Sequence, residues 1–225
     1  MKHLLTQAGR QSLRERIKQA PLLGFDFDGT LAPIVDNPSR AEMRTRTRSL
    51  LHEVASRFCC VVLSGRSRQD VRQRLGDISL WEVFGNHGLE PWHASEALLG
   101  RVKEWKTHIT HLVDRPGVWV DDKDYSLSVH YRSCANPSAL RREILGALGQ
   151  LKEARIVSGK FVYNVLPAGL LNKGTAFSEA MSRCRRETAV YVGDDHTDED
   201  VFTRCDSARV LSIHVGLGRR SRAVY

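Results

Sequence analysis

Residues 21–30 read PLLGFDFDGT, an apolar run that ends in Asp26 and Asp28, one residue apart, and breaks at Gly29. A near-continuous run of this length suits a strand buried on both faces, as in a parallel sheet. Two further stretches repeat the pattern, FCCVVLSGRS (58–67) and AVYVGDDHTDED (189–200). Between the first two, SRAEMRTRTRSLLHEVASRF places Met43, Leu50, Leu51 and Val54 near helical spacing, and GTAFSEAMSRCRR does likewise ahead of the third. This alternation predicts an α/β fold with a doubly wound parallel sheet. Ligands of such sheets bind beyond the carboxyl ends of the strands, so the three polar clusters are expected to converge there.

The middle of the chain breaks the rhythm. From 94 to 167 the pattern predicts a helix (SEALLGRVKEWKTHITHLV), strands in GVWVDD and YSLSVHYR, a helix (PSALRREILGALGQLKEA) and strands in RIVSG and KFVYNVLP, with a hairpin turn at Ser158-Gly159 before Lys160. An α-β-β-α-β-β insertion of this kind makes a small sheet with helices on one face, here expected to be a lid. The remaining segments, 1–93 and 168–225, are the expected catalytic core.

Composition narrows the classes. At 225 residues and 41% apolar content the chain can bury a core, and no run of about 18 apolar residues predicts a membrane span. The N-terminal MKHLLTQAGRQSLRER lacks the apolar stretch and cleavage site of a secretory signal. Cys59, Cys60, Cys134, Cys184 and Cys205 are odd in number and without metal-ligand spacing, and are expected to be reduced thiols of a cytoplasmic protein. The formal charge of +8 is scattered among acids with no aromatic-interleaved basic motif, which argues against a nucleic-acid partner and for an anionic small substrate.

Side chains two apart on a strand point the same way, so Asp26 and Asp28 are expected to face one centre, with Gly29 letting the backbone turn. One carboxylate can attack phosphorus, and a second can protonate the leaving alcohol and later deprotonate water. Mg²⁺ bound by Asp26 and the Asp28 carbonyl would make the pair unequal, with Asp194 as a further oxygen ligand. Ser64 and Gly65 offer a hydroxyl and open amides to phosphate oxygens, although a strand-to-helix turn capped by Ser64 explains the same SGR string. Lys173 in LNKGTA is a compact cation suited to offset charge on aspartate and phosphate, or else a solvated lysine. Asp194, Asp195, Asp198, Glu199 and Asp200 crowd together; they suit a cation or an acidic helix start.

DFDGTL, LSGR, NKG and GDD, in this order, resemble the four signature motifs of haloacid dehalogenase-like phosphatases over nearly the whole chain. FGNHGLE, VHYR and GDDHTDED are similar, more narrowly, to the trehalose-6-phosphate phosphatase family. The resemblance implies Asp26 as nucleophile and Asp28 as general acid/base. It implies Mg²⁺ on Asp26, the Asp28 carbonyl and Asp194, and Ser64, Gly65 and Lys173 on the phosphate. Asp195 and Asp198 would support the metal from behind or through water, and Arg66, Asn86 and His87 would border the substrate. In the lid, Asp121 stands where the family has glutamate, Lys123 matches, Arg132 follows in VHYR, and Asn164 replaces a second glutamate. The implied activity is Mg²⁺-dependent release of phosphate from a phosphorylated disaccharide, trehalose 6-phosphate first. Composition adds a cytoplasmic setting with neither a nucleic-acid nor a membrane partner; the oligomeric state stays open, a monomer being favoured. The departures at Asp121 and Asn164 keep open another glycoside phosphate, such as glucosylglycerol phosphate. A non-catalytic sugar-phosphate-binding domain would be expected to lose a motif aspartate or the lysine, and this chain keeps them. The chain stops where the family continues into a final helix, so Val224-Tyr225 is expected to be poorly ordered.

Overall fold

A computed structural model describes residues 3–35, 37–159, 161–169, 171–216 and 221–225. The chain divides into two compact units, one of residues 1–91 with 172–225 and one of residues 92–171.

The first unit is built on a five-stranded parallel sheet. Its strands are β1 (Leu22–Asp26), β2 (Cys60–Leu63), β3 (Glu82–Phe84), β8 (Ala189–Gly193) and β9 (Val210–His214), in the order β3-β2-β1-β8-β9. β1 is central, pairing with β2 from Leu23↔Cys60 and with β8 from Leu22↔Ala189. Because both faces of β1 are covered, apolar residues fill it without alternation. On one face Leu23, Val190, Leu211 and Ile213 form a buried cluster against Leu13 and Ile17 of α1 (Gln7–Ile17). On the other, Gly24 leaves room for Phe177 of α6 (Lys173–Arg183) and for Tyr191, a Cβ there coming within 2.4 Å and 2.7 Å of their rings. Helices α2 (Thr45–Arg57) and α3 (Arg68–Leu75) pack Leu51, Val71 and Leu75 against Phe27 and Val62. The core is thus the doubly wound α/β sheet read from the sequence, with β3, α3, β9 and the short α7 (Glu199–Arg204) added to it.

Tyr225 does not hang free as expected. Its carbonyl accepts from the His214 amide at 2.7 Å, its amide donates to the Ser212 carbonyl at 3.2 Å, and its side chain joins the Leu23 cluster. Among the described residues no helix is long and apolar enough to cross a membrane.

The second unit holds α4 (Glu96–His108), β4 (Trp119–Asp122), β5 (Leu127–His130), α5 (Pro137–Leu148), β6 (Ala154–Gly159) and β7 (Val162–Pro167). Its four antiparallel strands run in the order β4-β5-β7-β6. Ser158 and Gly159 lie inside β6, where Gly159 pairs with Val162, so the reversal follows Gly159 instead of falling on it. Lys160 lies outside the described residues. The indole of Trp105 on α4 donates to the Lys152 carbonyl at 3.0 Å, and Arg141 on α5 donates to the Tyr163 hydroxyl of β7 at 2.8 Å, tying both helices to the sheet end and face.

Candidate active site

β1 ends at Asp26, so the period-two alternation does not carry through to Asp28, which lies in the following turn. The two carboxylates part company. Asp26 is buried and receives the Lys173 ammonium at 2.6 Å. Asp28 instead takes Arg66 at 2.6 Å and 2.7 Å.

Lys173 opens α6, where Asn172 caps the helix through a reciprocal pair of bonds with Thr175. A cation at a helix N-terminus faces the positive end of the dipole. Two buried carboxylates offset it, Asp26 and, at 2.8 Å, Asp198. Asp198 is wholly buried. Its Oδ1 also accepts from the Tyr191 hydroxyl at 2.7 Å, and its Oδ2 from the Asp194 and Asp195 amides, both at 3.0 Å. A carboxylate has about four acceptor directions, and Asp198 spends its own on protein donors. Gly193 permits this, since a Cβ there would come within 2.3 Å of the Asp198 carboxyl carbon.

Asp194 therefore turns the other way. Its carboxylate lies under Gly29, so close that a Cβ at Gly29 would sit 2.1 Å from Oδ2, and Gly29 has φ +93°. One ligand atom from each of Asp26, Asp194 and Asp198 lies within 4.8 Å of the others. Burial pushes the Asp26 carboxyl well above the usual carboxylate range, Lys173 pulling down while Asp198 and Asp195 add to the rise. Burial and the charges of Asp195 and Asp198 push Asp194 up to about 6, against Lys173 and a hydrogen bond with Asp26. Asp195 goes down in spite of its burial, because Lys173 and the Thr197 hydroxyl and amide favour its charged form. One buried ammonium does not neutralise this many carboxylates. The donor set is all oxygen, compact and under-neutralised, which fits a hard divalent cation facing Asp26 and Asp194.

The second cluster joins from β2. Ser64 is buried; its hydroxyl accepts from the Arg66 amide at 3.2 Å, and the cap of α3 is Ser67 instead. A Cβ on Gly65 would meet the His87 ring at 2.6 Å, so Gly65 lets imidazole and loop approach. Asn86 and His87 are buried with φ of +49° and +57°, and their amides donate to the Arg66 and Ser64 carbonyls. The Asn86 amide group donates to Glu90 at 2.7 Å. Arg66, expected to border the substrate, spends its guanidinium on Asp28, on Asp70 at 2.8 Å and on the Pro38 carbonyl at 2.8 Å.

In the second unit, Asp121, Ser128 and Asn164 sit side by side across β4, β5 and β7. Lys123 donates to the Ser128 hydroxyl at 2.7 Å, which donates to Asn164 Oδ1 at 2.7 Å. Asp121 lies 3.8 Å from Lys123. In the neighbouring row Trp119 stacks on His130, ring centroids 3.9 Å apart. Arg132 is exposed just past β5.

Two groups escaped the sequence reading: Tyr191 and the Arg66–Asp70 partnership. A tyrosine inside a strand buried on both faces needs a partner for its hydroxyl, and that signal points to Tyr191. Arg66, Asp70 and Arg74 follow i,i+4 spacing, and Asp70 takes Arg74 at 2.9 Å as well.

A family profile described as trehalose-phosphatase matches residues 24–222, a span that holds Asp26, Asp28, Ser64, Arg66, Lys173, Asp194 and Asp198. The chain belongs to the trehalose-phosphatase family. It is 32% identical over 198 residues to a trehalose-phosphate phosphatase of Mycobacterium ulcerans, covering 81% of this chain and 50% of that protein. It is 32% identical, also over 198 residues, to a probable trehalose-phosphate phosphatase of Oryza sativa subsp. japonica, covering 79% and 53%. The chain thus spans about half the length of the curated relatives it matches. Among solved structures, the C-terminal domain of a C. albicans trehalose-6-phosphate phosphatase superposes with a TM-score of 0.75 at 20% identity, covering 96% of this chain and 90% of that one. A trehalose-6-phosphate phosphatase-related protein gives 0.70 at 22%, covering 90% of each chain. These likenesses fix the fold of this family member as a haloacid dehalogenase-like core with a cap.

Proposed function

We propose that the chain is a phosphatase that releases inorganic phosphate from a phosphorylated disaccharide, trehalose 6-phosphate first, with residues 1–91 and 172–225 doing the chemistry and residues 92–171 choosing the sugar. The observation that carries the reading is Asp26, buried at the end of the central strand with Lys173 at 2.6 Å and Asp194 beside it. Asp26 would attack phosphorus and displace the sugar oxygen, forming an aspartyl-phosphate. Asp28 would hand its proton to that oxygen, then take one from the water that cleaves the acyl-phosphate. Lys173 and the Ser64–Gly65 turn would hold the phosphoryl oxygens as charge builds on them. Asp26, Asp194 and the Asp28 carbonyl would hold Mg²⁺, which when bound supplies positive charge to the phosphoryl oxygens. The unpaired cysteines support a reducing, cytoplasmic setting.

Asn164 favours a second sugar as substrate. Its Oδ1 is taken by Ser128, so it offers a ligand its amide donors where a glutamate would offer acceptors. A glycoside phosphate with an ether or ring oxygen there would suit those donors, and a trehalose hydroxyl could also accept from them through its lone pairs. The test is phosphate release from a panel of sugar phosphates across a Mg²⁺ titration, for wild type and Asp194→Asn. Release that needs Mg²⁺, with a higher half-activating concentration in the variant, is expected. Metal-independent release, or none from any sugar phosphate, overturns the reading.

A further inference from the structure

We infer that Tyr191 is a positioning residue of the phosphoryl-transfer site, its hydroxyl fixing Asp198 so that Asp198 aims Lys173 at Asp26. This rests on the phosphatase reading and extends it to a residue that cannot touch substrate, since Tyr191 is wholly buried in β8.

The relay is continuous. The Tyr191 hydroxyl donates to Asp198 Oδ1 at 2.7 Å, the same oxygen receives Lys173 at 2.8 Å, and Lys173 reaches Asp26 at 2.6 Å. The ring is fixed before the hydroxyl acts. Phe177 meets it edge-on at 5.0 Å, Phe202 of α7 does so at 6.0 Å, and the bare Gly24 lets it lie against β1. Two donors on one oxygen share its charge. Take the phenol away and Oδ1 concentrates on Lys173 alone, pulling the ammonium toward Asp198 and away from Asp26 and the phosphoryl group. The other oxygen cannot compensate, because the Asp194 and Asp195 amides already hold it. The phenol thus sets how one lysine charge divides between a structural carboxylate and the reacting one.

Phenylalanine at 191 keeps the ring and removes only the hydroxyl. Tyr191→Phe in the full chain is expected to lower kcat on p-nitrophenyl phosphate about ten-fold with KM within two-fold, one charge-assisted hydrogen bond being worth about this much. Inhibition by orthovanadate, which takes the five-coordinate geometry of the transition state, should weaken about ten-fold, while inhibition by inorganic phosphate stays within about two-fold. In an Asp198→Ala background the same change should cost less than about two-fold, because the oxygen that the two donors share is gone. Vanadate and phosphate weakening equally, an unchanged kcat, or a full further loss in the Asp198→Ala background would each overturn the inference while leaving an active wild type as a phosphatase. If Tyr191→Phe fails to fold, Phe177→Leu, which loosens the ring but keeps the hydroxyl, should reproduce the selective vanadate loss in weaker form, and its absence would overturn the inference. A wild-type chain inactive on every monoester would bring down both readings.

Discussion

Arg66 holds Asp28 with both ends of its guanidinium, Nε donating to Oδ2 at 2.6 Å and Nη2 to Oδ1 at 2.7 Å. The fork is itself braced by Asp70, by the Pro38 carbonyl and by the Phe27 ring, 5.8 Å beneath the guanidinium carbon. A bidentate pair fixes direction as well as charge. We propose that Arg66 aims the proton carrier, with one Asp28 oxygen leaving the fork to carry the proton. The sequence had suggested a direct contact to the substrate.

Leaving groups separate the two roles. A sugar alkoxide needs a proton to depart, whereas p-nitrophenolate is a stable anion. Arg66→Gln is expected to lower kcat/KM, which reports the step that expels the alcohol and not the shared hydrolysis of the aspartyl-phosphate, about a hundred-fold on trehalose 6-phosphate and less than about ten-fold on p-nitrophenyl phosphate. Equal losses, with KM raised on both, would return Arg66 to the substrate.

The buried Lys173 should matter more to folding than the aspartate it serves. Asp26→Asn removes one charge from an excess of carboxylates and leaves Lys173 with Asp198, so turnover should vanish while the melting temperature holds or rises. Lys173→Met leaves Asp26 and Asp198 buried without a counter-charge, which costs about 3–5 kcal/mol. For a chain of this length that is roughly 10 °C in melting temperature. Thermal scans of both proteins without metal check the contrast, and a larger loss in Asp26→Asn would contradict it.

Asn164→Glu tests the sugar. Ser128 can go on donating to a carboxylate at this position, and the second oxygen would then face a hydroxyl of the ligand. An added charge-assisted bond should raise kcat/KM on trehalose 6-phosphate about ten-fold. A small aryl phosphate without a sugar should gain nothing. Catalytic efficiencies of both proteins on both substrates decide it. A loss confined to trehalose 6-phosphate would favour the alternative glycoside.

His130 gives the second unit a pH dependence. Burial, then Lys123 and Arg132, lower its pKa from 6.5 to about 4. The unfolded chain takes up a proton below pH 6.5 and the folded imidazole does not. The stability it contributes is therefore whole above pH 6.5 and is lost as pH falls toward 4. After allowance for solvent screening the loss is on the order of 1 kcal/mol, about 2–4 °C. His130→Phe retains the stack on Trp119 and should flatten this part of the melting curve between pH 7 and 4.5.

The strands of the parallel sheet were legible because β1, β2 and β8 are buried on both faces and so carry unbroken apolar runs. β3 is only Glu82–Phe84 and left too short a run to read. Three of the motif clusters were visible as polar ends of those runs, and the fourth, with Lys173, as the start of a helix. Which oxygen meets which donor was not. Asp26 and Asp28 look equivalent at i,i+2, and they diverge only because β1 stops at Asp26 and Phe27 turns into the core. Asp198 reads as one more acid in GDDHTDED, yet full burial and four donors make it the anchor of the loop. Such roles depend on contacts between residues far apart in the chain, which composition and periodicity do not record.

The division of the chain has a consequence for how the protein comes into being. Leu23 pairs on one side with Cys60 and on the other with Val190, so β1 leaves the ribosome before either partner, gains β2 early and waits for β8 until residues 92–171 have been made. Residues 92–171 are contiguous, and β6 and β7 adjoin along the chain, so that unit can close while β1 still has a bare edge. An open edge on an apolar strand is a template for pairing with another chain. The strand that ends in Asp26 therefore keeps one edge open until Lys173 and β8 have both been made, and β9 then closes on β8. Until synthesis passes residue 193, the would-be nucleophile belongs to the segment most in need of a chaperone.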